Sequence, residues 1–335
     1  MQRPAPPPPP RPPSKPGRKR RWIRLFVVAV LVVVLVAALV IVGVGVWVDR
    51  SLHRQAVLAD YPGRPTAGHG TTWLFVGSDS RNDLTPQQES EYSTGDENRS
   101  GLTDTIMLIH VPSLWSSTSP TVVSIPRDAT AQIPDYGTGK INSAFSLGGG
   151  SLLVRTVEQT THLHVDHYAE IGFLGVADVV DAVGGVPICL PEAVHEEEYA
   201  HVDLDAGCQT LDGRDALGYV RTRYAFPDAD LRRVKNQREF LTALLHRAAS
   251  PAVWLNPLRW FSMPRAVIGA LTVDEGAHVW DLARLGWALN GSPVMLTVPN
   301  NSGDVEWSSD DVSRLFTALE NDDAIPAELL DQAGG

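Results

Sequence analysis

Arg221 and Arg223 stand one residue apart in the run Tyr219-Val220-Arg221-Thr222-Arg223-Tyr224, and Asp230, Arg233 and Gln237 follow at the head of a long helical pattern. Guanidinium forks at a fixed spacing hold phosphate oxygens from more than one direction, so this cluster asks for a polyanion. Three other segments carry matching chemistry. The apolar run Leu74-Phe75-Val76 leads directly into Gly77-Ser78-Asp79-Ser80-Arg81. Arg99 precedes Thr103-Asp104-Thr105, which opens another apolar run, and Ser124-Ile125-Pro126 ends in Arg127-Asp128, with Lys140-Ile141-Asn142 shortly after. Ligands collect beyond the carboxyl ends of strands in open α/β sheets, which is where Asp79, Arg81, Arg127 and Asp128 fall. Asp79 and Asp104 are expected to converge on Mg2+, a hard cation that takes carboxylate oxygens and leaves other positions to water and phosphate. Taken singly, an Arg or Asp at a strand end is a solvated cap or a surface pair worth little. Three strand ends with the same chemistry shift the balance towards a site.

The elements that must position these groups follow from periodicity. Short apolar runs at Trp73 to Val76, Thr105 to Val111, Thr121 to Ile125, Tyr168 to Ile171, Val186 to Cys189 and Val294 to Val298 predict buried strands. Helical patterns cover Gly150 to Thr161, Phe173 to Val183, Asp230 to Ala249, Val279 to Leu289 and Asp310 to Glu320. Strands interleaved with helices indicate a three-layer α/β domain, expected over residues 71–330, with an exposed loop over residues 82–100.

Residues 1–24 are proline-rich and basic and are expected to form a disordered arm. Leu25 to Val48 follows without a charge. At about 1.5 Å per residue it spans roughly 36 Å, enough for a hydrocarbon core of about 30 Å and too long for a signal-peptide core. Eight basic residues precede this span and only Arg50 and Arg54 follow closely, which predicts a cytoplasmic N-terminus and, after a linker over 49–70, an external domain. The part beyond the span keeps 20 of the 28 Lys and Arg against all 39 Asp and Glu, a formal charge of about −19. That argues against a nucleic-acid partner and makes any anion site a local basic pocket.

Cys189 and Cys208, the only cysteines, both lie in the external part. An even count in an oxidising compartment predicts a disulfide, worth roughly 2 to 4 kcal/mol by loop entropy. His162, His164 and His167 around Asp166 suggest a metal site less than they suggest a polar connection between helix and strand. Trp254, Trp260, Trp280, Trp287 and Trp307 in the last third suit a core or a membrane interface at least as well as a sugar platform.

The order of these segments resembles the LytR-CpsA-Psr (LCP) family of cell-envelope phosphotransferases, over roughly Thr71 to Arg247. The resemblance rests on Gly77-Ser78-Asp79-Ser80-Arg81, Thr103-Asp104-Thr105-Ile106-Met107, Ser124-Ile125-Pro126-Arg127-Asp128, Lys140-Ile141-Asn142-Ser143-Ala144-Phe145, Val183-Gly184-Gly185-Val186, Leu211-Asp212-Gly213-Arg214-Asp215-Ala216-Leu217, Arg221-Thr222-Arg223, and Asp230 to Gln237. It implies an α/β/α LCP-type domain with a central mixed sheet. It also implies an enzyme that moves a glycopolymer from a polyprenyl-pyrophosphate carrier onto peptidoglycan through a phosphodiester, with Asp79 and Asp104 on magnesium. Arg127, Asp128, Arg221 and Arg223 are the expected catalytic group; Arg81, Arg99, Lys140, Asp230, Arg233 and Gln237 are expected to hold the pyrophosphate. Asp104 and Asp128 are the candidates for accepting the attacking hydroxyl's proton. Asn236 departs from the family, which often has Arg there, and no role carries over to it. Ala144, Phe145, Leu152, Leu153, Val157, Phe173, Leu174, Val176, Val179, Val180 and Val183 are candidates to line a lipid channel, although at helical spacing such residues are more often ordinary core. A non-catalytic polyprenyl-phosphate binder or envelope regulator, and a pyrophosphate hydrolase, are the alternatives. The arginines alone would serve a binder, whereas transfer calls for the two aspartates as well.

Overall fold

The computed structural model describes residues 18–78, 103–196, 202–222, 229–256, 259–291, 293–299 and 305–333. The chain divides into two units, residues 1–50 and 51–335. Helix α1, Arg18–Ser51, has 34 residues, and its Arg21–Ser51 part is long and apolar enough to cross a membrane. It starts at Arg18, inside the stretch expected to be unstructured. Pro16 and Gly17 are the last breakers, and the basic run after them is made of good helix formers.

The second unit runs β1 (His53–Gln55), β2 (Thr71–Ser78), β3 (Thr103–Val111), β4 (Thr121–Ile125), β5 (Thr130–Ile133), β6 (Gly137–Lys140), α2 (Ile141–Thr161), β7 (His167–Gly172) and α3 (Phe173–Val183). Then come β8 (Val186–Leu190), β9 (Val194–Glu196), β10 (Val202–Leu204), β11 (Gly207–Leu211), α4 (Gly213–Arg221), α5 (Ala229–Ala249), α6 (Pro251–Trp254) and α7 (Arg259–Ala270). The chain finishes with β12 (Leu271–Asp274), α8 (Val279–Leu289), β13 (Val294–Thr297), α9 (Asp310–Glu320) and α10 (Ala327–Ala333).

Seven strands form one mixed sheet in the order β1-β12-β7-β2-β3-β4-β13. The β2/β3, β3/β4 and β12/β7 pairs are antiparallel, and β1/β12, β7/β2 and β4/β13 are parallel. Alternation along β2 sends Leu74 and Val76 to one face, where α2 and α9 cover them with Leu153, Val157 and Leu315. Trp73 turns to the other face, beneath Leu285 and Leu289 of α8. Helices on both faces bury both sets of side chains, which is why these strands read as continuous apolar runs. A third core joins α3, α4 and α5 to the β8/β11 and β9/β10 ribbons.

Residues 53–55, in the stretch read as a linker, supply an edge strand, and Val57 joins the core. β12 went unrecognised because Leu271-Thr272-Val273-Asp274 is too short for its alternation to stand out. The Val186 strand forms, but in a separate ribbon with β11. There Cys189 and Cys208 face each other directly and are joined as a disulfide, as expected. The channel candidates are divided: Ala144, Leu153 and Val157 belong to one core, Val180 and Val183 to another. Trp280 and Trp287 are exposed on α8, whereas Trp307 packs against the core and donates Nε1–H to the Thr130 carbonyl at 2.7 Å.

One end of the sheet is closed by a polar network. Asp166 accepts from the Thr72 backbone N–H at 2.8 Å. Asp322 accepts from Ser113 N–H at 2.9 Å and lies 3.2 Å from His110 Nε2. Asp274 accepts from the Tyr168 and Gly276 backbones at 2.9 and 3.0 Å and lies 3.3 Å from His167 Nδ1. His162, His164 and His167 therefore part company: His162 ends α2 in a left-handed conformation, φ 59°, His164 bonds the Pro65 carbonyl, and His167 pairs with Asp274.

Candidate functional site

The opposite end of the sheet carries the strand ends at Ser78, Thr103 and Ile125. β2, β4, β7 and β13 finish there, while β3 and β12 begin there. The β2/β3 register shifts between Gly77 and Ser78, so that Thr105 pairs with Gly77, Thr103 pairs with Ser78, and Asp104 is the extra residue. Thr103 Oγ1 donates to the Gly77 carbonyl at 2.9 Å or the Thr105 carbonyl at 3.0 Å, stitching the irregularity closed. A bulge of this kind bends the strand and re-aims its side chains at the end of the sheet. Ile106 pairs with Ile125, the last residue of β4, so the Asp104 bulge and the turn that carries Arg127 both lie just beyond the same end of the β3/β4 ladder.

Arg127 and Asp128 sit in the turn after β4, closed by Ala129 N–H donating to the Pro126 carbonyl at 3.0 Å. The β5/β6 hairpin returns the chain to that turn, where Asn142 N–H donates to the Arg127 carbonyl at 3.2 Å and Ile141 N–H to that of Ala129 at 2.8 Å. Lys140 Nζ then reaches Asp128 Oδ1 at 2.7 Å, and Arg127 Nε reaches Asp128 Oδ2 at 3.3 Å. The Lys140 hydrogen bond holds the Asp128 carboxyl below its usual range; burial opposes it, and the Arg127 charge adds to it. Half-exposed pairs such as these stabilise a fold little. Their use is directional, because Asp128 fixes where the Arg127 guanidinium points.

Arg221 is the last residue of α4, a helix started by Asp212, whose carboxylate accepts from Asp215 N–H at 2.9 Å. Buried Tyr219, two residues earlier, donates to Asn236 Oδ1 at 3.2 Å or Glu239 Oε2 at 3.4 Å, docking the arginine-bearing end of α4 on α5. Asp230, Arg233 and Gln237 lie in the first half of α5 at spacings of three and four, which puts them along one side of the helix. Their side chains, and that of Asp104, are beyond the described atoms, as are residues Asp79, Arg81, Arg99 and Arg223 altogether. Among the described residues, then, the structure brings Arg127, Asp128 and Lys140 into contact, with the Asp104 bulge at the same end of the sheet.

Two groups that the sequence reading passed over are Ser78 and Asn142. Ser78 Oγ, at the end of β2, and Asn142 Oδ1, in the first turn of α2, are buried with no hydrogen-bond partner. Buried polar atoms are rarely left so, and no signal in the sequence marks burial at a serine or asparagine. Asp79, next in the chain to Ser78, and Asp104 are carboxylates of the kind magnesium takes. No group of three or more His, Cys, Asp or Glu side chains suited to a metal occurs among the described residues.

Residues 53–300 match the family model described as the LytR_cpsA_psr family. The chain is 48% identical over 256 residues to the probable cell wall biosynthesis protein LcpB of Corynebacterium glutamicum, covering 76% of this chain and 60% of that one. Over 134 residues it is 38% identical to the polyisoprenyl-teichoic acid–peptidoglycan teichoic acid transferase TagT of Bacillus subtilis, 38% of this chain and 41% of that one. Its fold is similar to that of the LytR-Csp2A-Psr enzyme from Actinomyces oris, with a TM-score of 0.60 at 22% identity, covering 80% of this chain and 97% of that one. The chain spans 60% and 51% of the length of the two Corynebacterium relatives it matches.

Proposed function

The chain belongs to the LytR_cpsA_psr family, and from that premise we propose that it is a membrane-anchored transferase moving a glycopolymer from a polyprenyl-pyrophosphate carrier onto peptidoglycan through a phosphodiester bond. The observation that carries the reading is the meeting of Arg127, its Asp128–Lys140 brace and the Asp104 bulge at one sheet end. The name of the teichoic acid transferase supports the reaction class, and the basic flank of α1 supports an N-terminus inside and the second unit outside.

In this reading the acceptor hydroxyl oxygen bonds to the phosphorus that carries the glycan. The bond from that phosphorus to the bridging oxygen breaks, and the polyprenyl phosphate leaves with the bridging oxygen and its electron pair. Arg127 and Arg221 hold phosphate oxygens and stabilise charge as it moves onto the leaving group. Asp128, engaged by two cations and held low, is a positioning group; that leaves Asp104 as the acceptor of the hydroxyl proton. Asp79 and Asp104 are the residues that would hold magnesium, which would add to the neutralisation of the diphosphate.

The test is to incubate the full-length protein in detergent with a polyprenyl-diphosphate glycan and peptidoglycan fragments, in magnesium or in EDTA. We expect a glycan–phosphate–muramyl product that falls at least about 100-fold in EDTA and in Asp104→Asn. Full transfer in EDTA sinks the metal assignment. Lipid phosphate released without that product makes the protein a hydrolase, and lipid retained without either product makes it a binder.

A further inference from the structure

Gly172 ends β7 and caps the 11-residue helix α3, with φ −74° and ψ 160° and no side chain to accept from the first helical N–H groups. The leading N–H groups of a helix have no partner inside it and carry its positive end. Among the described residues no carbonyl outside the helix takes the N–H of Leu174 or Gly175. A Cβ built on Gly172 meets nothing within 4 Å. Directly across the β2/β7 rung from Gly172 stands Ser78, 4% exposed, whose buried Oγ has no hydrogen-bond partner. A hydroxyl with its proton to give thus lies beside a helix end with N–H groups to give, over a residue that leaves the space clear.

We propose that the N-terminus of α3 and Ser78 Oγ form a second phosphate seat. Two strand spacings of about 4.8 Å separate Gly172 from Asp104, with β2 between them. One phosphate on the Arg127 side and another at α3 therefore straddle the end of β2, the reach of a diphosphate together with its hydrogen bonds. Glu170, the nearest carboxylate on β7, lies two residues back, roughly 7 Å along the strand. It is held by the Tyr168 hydroxyl at 2.9 Å. The seat rests on the transferase reading for the source of its ligand, a lipid-linked diphosphate, and not for its chemistry.

The test titrates inorganic pyrophosphate into the full-length protein in detergent with EDTA present, so that neither cation nor glycan enters the measurement. Ser78→Ala and Gly172→Val are each expected to weaken binding about 5- to 10-fold, as the loss of a hydrogen bond to a charged group does, and Ser78→Thr to stay within about 2-fold of the parent. The φ of Gly172 is open to any residue, so Val fills the seat without backbone strain; if that variant does not fold, the Ala and Thr pair at Ser78 decides. Unchanged binding in Ser78→Ala, or no pyrophosphate binding by the parent, overturns the seat. Weakened binding in a protein that transfers no glycan leaves the seat standing and sinks the transferase reading instead.

Discussion

The two ends of the central sheet are both rich in polar groups, and they differ in what those groups have found. At the end closed by Asp166, Asp274 and Asp322, backbone N–H groups and histidines satisfy each carboxylate. At the end carrying Arg127, among the described residues, two buried oxygens, Ser78 Oγ and Asn142 Oδ1, have none, and Asp128 is held by Arg127 and Lys140 in a half-exposed brace. A network that completes itself holds the fold. One that stops short is built to be completed by something else.

The contrast is broken most directly by exchanging the two ends' roles. Arg127→Ala is expected to cost about 100-fold or more in transfer while the thermal midpoint stays within about 2 °C, since its ion pair is weak. Asp322→Ala should do the reverse. It strands Ser113 N–H, Thr118 Oγ1 and His110, for about 2 to 3 kcal/mol of stability by chemical denaturation, with transfer per folded molecule unchanged. If Asp322→Ala abolishes transfer in folded protein, the two ends are not separable. Asn142→Ala sharpens the same point: removing an oxygen that has no partner should cost less than about 1 kcal/mol while slowing transfer several-fold.

The smallest effect concerns pH. Burial pulls His167 down, but the Asp274 hydrogen bond and charge, with Asp281 and Asp166, outweigh it, and its pKa is raised. Its contribution to stability is full below about 6.5, the unfolded value, and is lost as pH rises through the folded pKa. For His110 burial wins over Asp322 and the pKa is lowered, so stability is lost as pH falls below about 6.5 through its folded pKa. The two slopes oppose each other. His167→Gln should therefore flatten the alkaline side of the midpoint-against-pH curve and His110→Gln the acid side, each by about 2 °C or less.

Much of this was legible before any coordinates. The apolar runs at Trp73, Thr105, Thr121, Tyr168 and Val294 became strands of one sheet, because burial on both faces leaves an uninterrupted apolar signature. The helices Phe173–Val183, Val279–Leu289 and Asp310–Glu320 fell where their periodicity put them. What stayed hidden is short or depends on context. β1 and β12 exist because a neighbouring strand offers hydrogen bonds. α7 tolerates Pro264 within it. The Lys140–Asp128 brace joins residues brought together by a hairpin whose strands have four residues each. Ser78 and Asn142 look like any other small polar residues until burial makes their missing partners conspicuous.

The break in α2 reaches beyond packing. Gly148 and Gly149 leave helical geometry, Gly149 with φ 64°, so that the turns bearing Asn142 and the shaft carrying Leu153 and Val157 are two rods on one thread. Both rods pack into one core, Ile141 and Ala144 from the first and Leu153 and Val157 from the second, so the bend lets a single helix follow the sheet and still bring the Asn142 N–H to the Arg127 carbonyl.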